Sequence, residues 1–504
     1  MSGDLRTPPG AHAENVSVIP RQRAVPGWAE RDPVDELAAR LDDFVAGAVH
    51  PDEIAALLES DGLTDPQIRE RYGVKNSFAL AEALYARVER RHPEPDGPAH
   101  DPWQAGLLGC LLRGVVFALP GLAFVLGAPF LAGPRDGLGL PSGTVPLLVG
   151  ALTGWAWNQG LAHRAYSWLG LGDRTAARRC LLVGGPLGAV LGALAALAAA
   201  GGAGPSAVAF AAGQSCYLGA STALLVLGRE RALLAALLPM AAGALVSLFT
   251  DVPEAIRLAL LLVPLAAVTA VACREVAPAV RAPDEGSRIA GLTALLPFGA
   301  RGPAPRRTSG PRLSASLPYA LFGAAGGVLV LHAALGDVLA GLAPSASAAP
   351  AAVALTLSMG PAEWLLHRFR SGSLAGLRST GTPRAFRRAT ARTVVRCLAC
   401  YLAVLLALVP ATTALWPHSP FPGGAASAAL LLLGVVLWTG LLLQSFGAVL
   451  GAALICAAAA LAQTLLLATR TGAPHLTAVA VYGCAAAAQA ALVCVLLGRA
   501  TAHR

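Results

Sequence analysis

Charged side chains are scarce: they make up 13% of the 504 residues, against 55% hydrophobic ones, and the mean hydropathy is +0.60. A soluble multidomain chain needs far more polar surface, so this composition excludes one and implies an integral membrane protein. Lysine is nearly absent. Lys75 is the only one among 38 basic residues, a bias that points to GC-rich coding and makes an arginine by itself a weak sign of function. The 55 glycines and 37 prolines are too few and too scattered for a collagen-like or disordered chain. No P-loop, G-x-S-x-G, H-E-x-x-H or metal-ligand cluster occurs, so ATP-driven and hydrolytic mechanisms lack support, and no catalytic residue, metal, cofactor or nucleic-acid partner is expected. The 9 cysteines lie in or beside apolar segments, where they behave as small hydrophobes, and imply no disulfide framework. Cys397 and Cys400 form a C-x-x-C that reads as packing, not as redox or zinc chemistry.

What is present divides unevenly. Residues 1–102 carry 11 basic and 19 acidic side chains, leaving 27 basic and 10 acidic in residues 103–504 of the totals of 38 and 29. Residues 1–33, with no apolar core segment, predict a disordered tail that is neither a cleaved signal nor an anchor. Residues 34–91 predict a small, acidic, helical cytoplasmic domain. Leu37, Leu41, Phe44 and Val45 share one helical face, as do Ile54, Leu57 and Leu58, and then Phe78, Ala81, Leu84, Tyr85 and Val88. Pro51 suits a first helical turn, Asp61-Gly62 breaks a segment, Thr64 with Gln67 resembles a capping box, and Gly73 ends a helix. A Pro-rich linker, 92–102, leads to the bilayer.

A membrane-crossing helix needs about 20 apolar residues. Such segments start near Ala105, Thr144, Cys180, Ser206, Ala232 and Ala255, and again near Leu317, Ala348, Val395, Ala425, Phe446 and Leu476. The fold class is therefore all-α: a polytopic bundle of about twelve transmembrane helices. Two six-helix halves, 103–273 and 317–500, flank a basic cytoplasmic loop, 274–316. Placing both termini in the cytoplasm of a cell membrane leaves only Arg135, Arg257 and Arg470 in external loops, as the disfavoured translocation of basic residues requires. Within the basic loop an apolar patch, Ala290 to Ala300, lies between arginines. It reads equally as a segment along anionic headgroups, with Arg288, Arg301, Arg306 and Arg307, or as a tether. Membrane lipids are expected partners.

The ends of the second and eighth spans match at an offset of 204: Leu161-Ala-His163-Arg164 against Leu365-Leu-His367-Arg368, with Gln159 opposite Glu363. After an insertion of five residues, Gly172-Asp-Arg-Thr-Ala-Ala-Arg178-Arg179 lies against Gly381-Thr-Pro-Arg-Ala-Phe-Arg387-Arg388. This reads as an internal duplication with a cavity between parallel halves. Twelve spans in two halves, and a second span running into the L-x-x-R-x-x-x-x-L-G-x-G-D-x-x-x-A-R-R loop of Leu161 to Arg179, resemble the multidrug, oligosaccharidyl-lipid and polysaccharide exporter superfamily. The eighth-span stretch Ser358 to Arg368 is most similar to exopolysaccharide exporters and lipid-linked sugar flippases. The resemblance covers roughly residues 105–500 and leaves out the acidic domain. It implies alternating access and outward movement of a bulky, sugar-containing, often anionic substrate.

Arg113, the one basic residue inside the first span, either snorkels or lies in the cavity, where its fork suits a phosphate or uronate. Asn158, Gln159 and Glu363 join it as candidate substrate-binding residues. His163, Arg164, His367 and Arg368 are candidates at the gating loops. Glu363, one turn before His367, reads more readily as a member of a local ion pair than as a proton relay. Asp337 reads as a solvated helix end and His332 as locally satisfied. Prolines 120, 146, 186, 239, 264 and 361 are expected to bend spans.

The leading expectation is a transporter, not an enzyme: an exporter or flippase of a polysaccharide or lipid-linked saccharide. Two others compete with it. One is a scaffold that recruits a cytoplasmic or membrane polysaccharide-synthesis protein through residues 34–91. The other is a membrane glycosyltransferase or acyltransferase, thinly supported by Asp136.

Overall fold

The structure, a computed structural model, describes residues 32–89, 91, 106–135, 139–281, 310–342, 349–379, 382–414 and 423–499. Residues 1–31 of the expected tail, the linker, Asp136 and the patch from Ala290 to Ala300 with its four arginines lie outside them, whereas Asp32 and Pro33, expected in the tail, cap and open the first helix. Among the described residues every regular element is helical; the one β feature is an isolated bridge between Arg135 and Pro141. The chain divides into two compact units between His100 and Asp101.

The first unit contains α1 (Pro33–Arg40), α2 (Asp42–Gly47), α3 (Pro51–Ser60), α4 (Asp65–Tyr72) and α5 (Ser77–Arg87). Proline opens α1 and α3 within the first turn, where its missing N–H costs nothing. Thr64 and Gln67 form the capping box of α4, and Gly73 closes that helix at φ 69°, a left-handed conformation that favours glycine. Val34, Leu37, Val45, Ile54, Leu58, Ile68, Leu80 and Leu84 form one buried core. The expected faces are present with two exceptions: Phe44 and Phe78 are 43% and 52% exposed, because helices this short bury a stripe only one or two residues wide.

In the second unit, nine helices among the described residues are long and apolar enough to cross a bilayer. Their core elements are α6 (Leu107–Ala118), which continues through a 3₁₀ turn (Leu119–Leu122) into α7 (Ala123–Leu131), then α9 (Arg174–Ala198), α10 (Pro205–Val226) and α12 (Glu254–Val276), which is followed by the short α13 (Pro278–Arg281); after a further 3₁₀ turn (Leu313–Ser316) come α14 (Leu317–Leu339), α17 (Pro383–Ala414), α18 (Gly424–Ser445), α19 (Val449–Ala468) and α20 (Pro474–Leu497). The expected count was twelve. The other three positions are helical but do not qualify. The helix α8 (Thr144–Gly170) carries Asn158, Gln159, His163 and Arg164, and α11 (Glu230–Val246) has 17 residues. The eighth position is split into α15 (Ala349–Leu357) and α16 (Met359–Ser379), the latter rich in ionisable residues.

Proline accounts for both interrupted helices. Pro120 and Pro361 have no N–H for the carbonyls of Val116 and Leu357, so a 3₁₀ turn follows α6 and α16 starts anew at Met359. At the second break Ser358 is buried, its hydroxyl donating to the Leu355 carbonyl at 2.7 Å. Pro186, Pro239 and Pro264 lie inside unbroken helices.

Two separate cores organise this unit. One is built from residues 116–276, including Leu126, Leu181, Leu224, Leu237 and Val268. The other comes from residues 322–497, including Phe369, Leu405, Trp438, Cys456 and Tyr482. The two helix sets meet chiefly through two pairs, α6 with α16 and α8 with α14, and α15 also touches α6.

Candidate functional site

Most of the described charged residues of the second unit lie toward one end of the helices, and the two sets touch at that arginine-rich end. Arg113 lies six residues into α6 and Glu363 four residues into α16. Backbone proximity brings them together. A Cβ on Gly114 would lie 2.8 Å from Gly360 Cα, and one on Gly360 would lie 2.8 Å from the Cys110 carbonyl, so only glycine at both positions lets α6 and α16 touch main chain to main chain. Next to this crossing an Arg113 Nη1–H donates to Glu363 Oε1. Its other terminal nitrogen lies 2.9 Å from Glu230 Oε1, and His367 Nε2 lies 3.8 Å from Glu363 Oε1. The guanidinium belongs to one helix set and Glu363 to the other. All four side chains are half-buried, between 24% and 38% exposed.

Glu230 is the first residue of α11, where the partial positive charge of the helix start favours a carboxylate. Sequence reasoning missed it. Its only signal was a carboxylate right behind Gly228-Arg229 at the start of an apolar segment, which reads as a loop residue until α11 packs against α6. Arg229 Nε in turn lies 3.1 Å from Glu275 Oε1.

The second pair packs through side chains. A Cβ on Gly323 would lie 2.6 Å from Gln159 Cγ, and one on Gly160 would lie 3.4 Å from Ala320 Cβ. The His163 ring stacks on Tyr319 with centroids 3.7 Å apart and hydrogen-bonds the Ser316 hydroxyl at 3.0 Å. Arg164 Nη1–H donates to the Pro311 carbonyl at 3.1 Å.

Six of the eight sequence candidates thus lie where the two sets meet: Arg113, Glu363 and His367 in the ion cluster, Gln159, His163 and Arg164 in the α8–α14 seam. The other two do not. Asn158 is buried one turn from Gly154, whose added Cβ would meet Leu218 of α10, and its Nδ2–H donates to the Gly154 carbonyl at 2.7 Å. It therefore lies inside the first helix set. Arg368 is exposed and places its guanidinium 5.3 Å from the Trp364 ring centre. Glu363 finds its main partner 250 residues away and not on its own helix.

Elsewhere, Asp337 is partnered by His475 Nε2 at 3.3 Å, and His332 Nε2 lies 2.9 Å from the Thr464 hydroxyl. A cavity of about 270 Å³ opens within the first set, lined by Pro120, Phe130, Phe210, Gln214, Tyr217 and Met240. Among the described residues no group of three His, Cys, Asp or Glu side chains could hold a metal ion. No protein-family model and no curated protein matches this chain.

Proposed function

We propose that this chain is a twelve-span secondary transporter of the alternating-access type, with its arginine-rich end and both termini in the cytoplasm of a cell membrane. The observation that carries the reading is the closed junction centred on Arg113. Numbering the helical positions one to twelve, the contacts between the sets pair position one with eight and two with seven. A shift of six exchanges these two pairs with each other, as a duplicated pair of bundles related by an axis along the membrane normal requires. The ion cluster behaves as a latch in this reading. Its two carboxylates outnumber the one guanidinium, so a phosphate or uronate is repelled while the latch is closed. When α16 carries Glu363 away, the same guanidinium becomes available to that anion.

The substrate class, a polysaccharide or lipid-linked saccharide moving outward, rests on the resemblance to the exporter superfamily in the Leu161 to Arg179 loop. The scaffold reading has one observation in its favour: the first unit is compact and acidic, a form suited to a basic partner surface. The test is transfer of a fluorescent lipid-linked saccharide across proteoliposome membranes. Gly160→Cys with Ala320→Cys, in a background free of other cysteines, places two thiols where β-carbons come within 3.4 Å. Oxidation should stop transfer and reduction restore it. Transfer that continues unchanged through the cross-link would refute the alternating-access reading, and no transfer by any variant would favour the scaffold.

A further inference from the structure

The helix α17 has 32 residues, about 48 Å at the usual rise, whereas the hydrocarbon core is about 30 Å thick. Its uncharged portion, Cys397 to Ala414, has 18 residues and accounts for nearly all of that thickness. The remaining turns carry Arg384, Arg388, Arg392 and Arg396 at strict four-residue spacing, with Arg387 beside them. All five are exposed, and four-residue spacing keeps the ladder on one side of the helix, away from the buried Phe386, Thr390, Cys397 and Tyr401.

Three features make this ladder unfavourable on its own. Like charges four residues apart repel. Cations at a helix start oppose the dipole. No described carboxylate pairs with any of the five. The matching stretch at the start of α9 is different. There Asp173 caps the helix, accepting from Ala176 N at 2.8 Å, where α17 has neutral Thr382. In the same register, Val183 and Leu187 stand where Arg392 and Arg396 do. The first stretch thus has a capping carboxylate, while the second lacks it and carries its positive charge two turns further along the helix.

We infer that the arginine ladder of α17 is a docking surface for the phosphate groups of anionic membrane glycerophospholipids. The rungs supply guanidinium forks to successive phosphates along the helix. The experiment titrates purified full-length protein in detergent with cardiolipin, phosphatidylglycerol, phosphatidylcholine and inorganic pyrophosphate, following bound lipid by native mass spectrometry. The two anionic lipids should bind and phosphatidylcholine should not. Affinity should fall roughly fivefold for each arginine replaced in the series ending at Arg384→Gln/Arg388→Gln/Arg392→Gln/Arg396→Gln. The four-lysine variant should keep most of the binding, and if the fourfold glutamine variant does not insert, Arg392→Gln/Arg396→Gln supplies the same comparison. Undiminished binding by the glutamine variants, or equal binding of phosphatidylcholine, would overturn the assignment. Saturation by pyrophosphate with no preference for anionic lipid would overturn it in favour of a soluble phosphate ligand.

Discussion

Arg113 has a neighbour on each side, and the arrangement makes its contribution measurable. Removing the guanidinium leaves Glu230 and Glu363 facing each other without compensation, an arrangement that costs more than the pair itself contributes. Arg113→Glu and Glu363→Arg should each lower the unfolding temperature in detergent, and the double exchange should recover part of the loss. A coupling of about 0.5–3 kcal/mol is expected for residues in direct contact; additive effects would show that the two side chains do not interact. The residue types were legible in the sequence, because a charge inside an apolar span is rare enough to notice. Their partners were not: Arg113 and Glu363 lie 250 residues apart, and Glu230 looked like one more loop carboxylate.

At the level of elements, the two interrupted helices form one of the two pairs that join the sets, and glycine sets how closely they approach. Gly360→Leu would force α16 away from α6. Cys110, buried at 4% exposure beside this crossing, reports on it. In a variant that keeps Cys110 as its one thiol, an impermeant maleimide should label it slowly in the parent and at least several-fold faster with Gly360→Leu. Equal labelling would mean that α6 and α16 do not seal this end. Helix positions followed from apolar length and prolines, and all six prolines were expected to bend spans. Only Pro120 and Pro361 break theirs; Pro186, Pro239 and Pro264 are accommodated within continuous helices.

Over the whole molecule, arginine is asymmetric: among the described residues of the second unit, apart from Arg135, Arg257 and Arg470, the arginines fall toward the end of the helices that holds the Arg113 cluster. Positive residues resist translocation, so reporters fused at the carboxyl end, after Arg504, and at the amino end should both be read out as cytoplasmic. A carboxyl-terminal reporter found outside would remove the even number of spans and the two-bundle reading together. The main hydrophobic cores of the two helix sets are separate, one from residues 116–276 and one from residues 322–497.

Composition and apolar length alone determined that the chain is helical, with helices long and apolar enough to cross a bilayer and a small acidic unit ahead of them, because the bilayer admits few other ways to satisfy a backbone. The caps of α4 were equally local, set by residues within one turn of one another. The contacts between the two helix sets were decided only in three dimensions. Which glycines face each other, which carboxylate reaches Arg113 and which ring covers His163 depend on how distant helices cross, and the periodicity of a single helix carries no information about its neighbour.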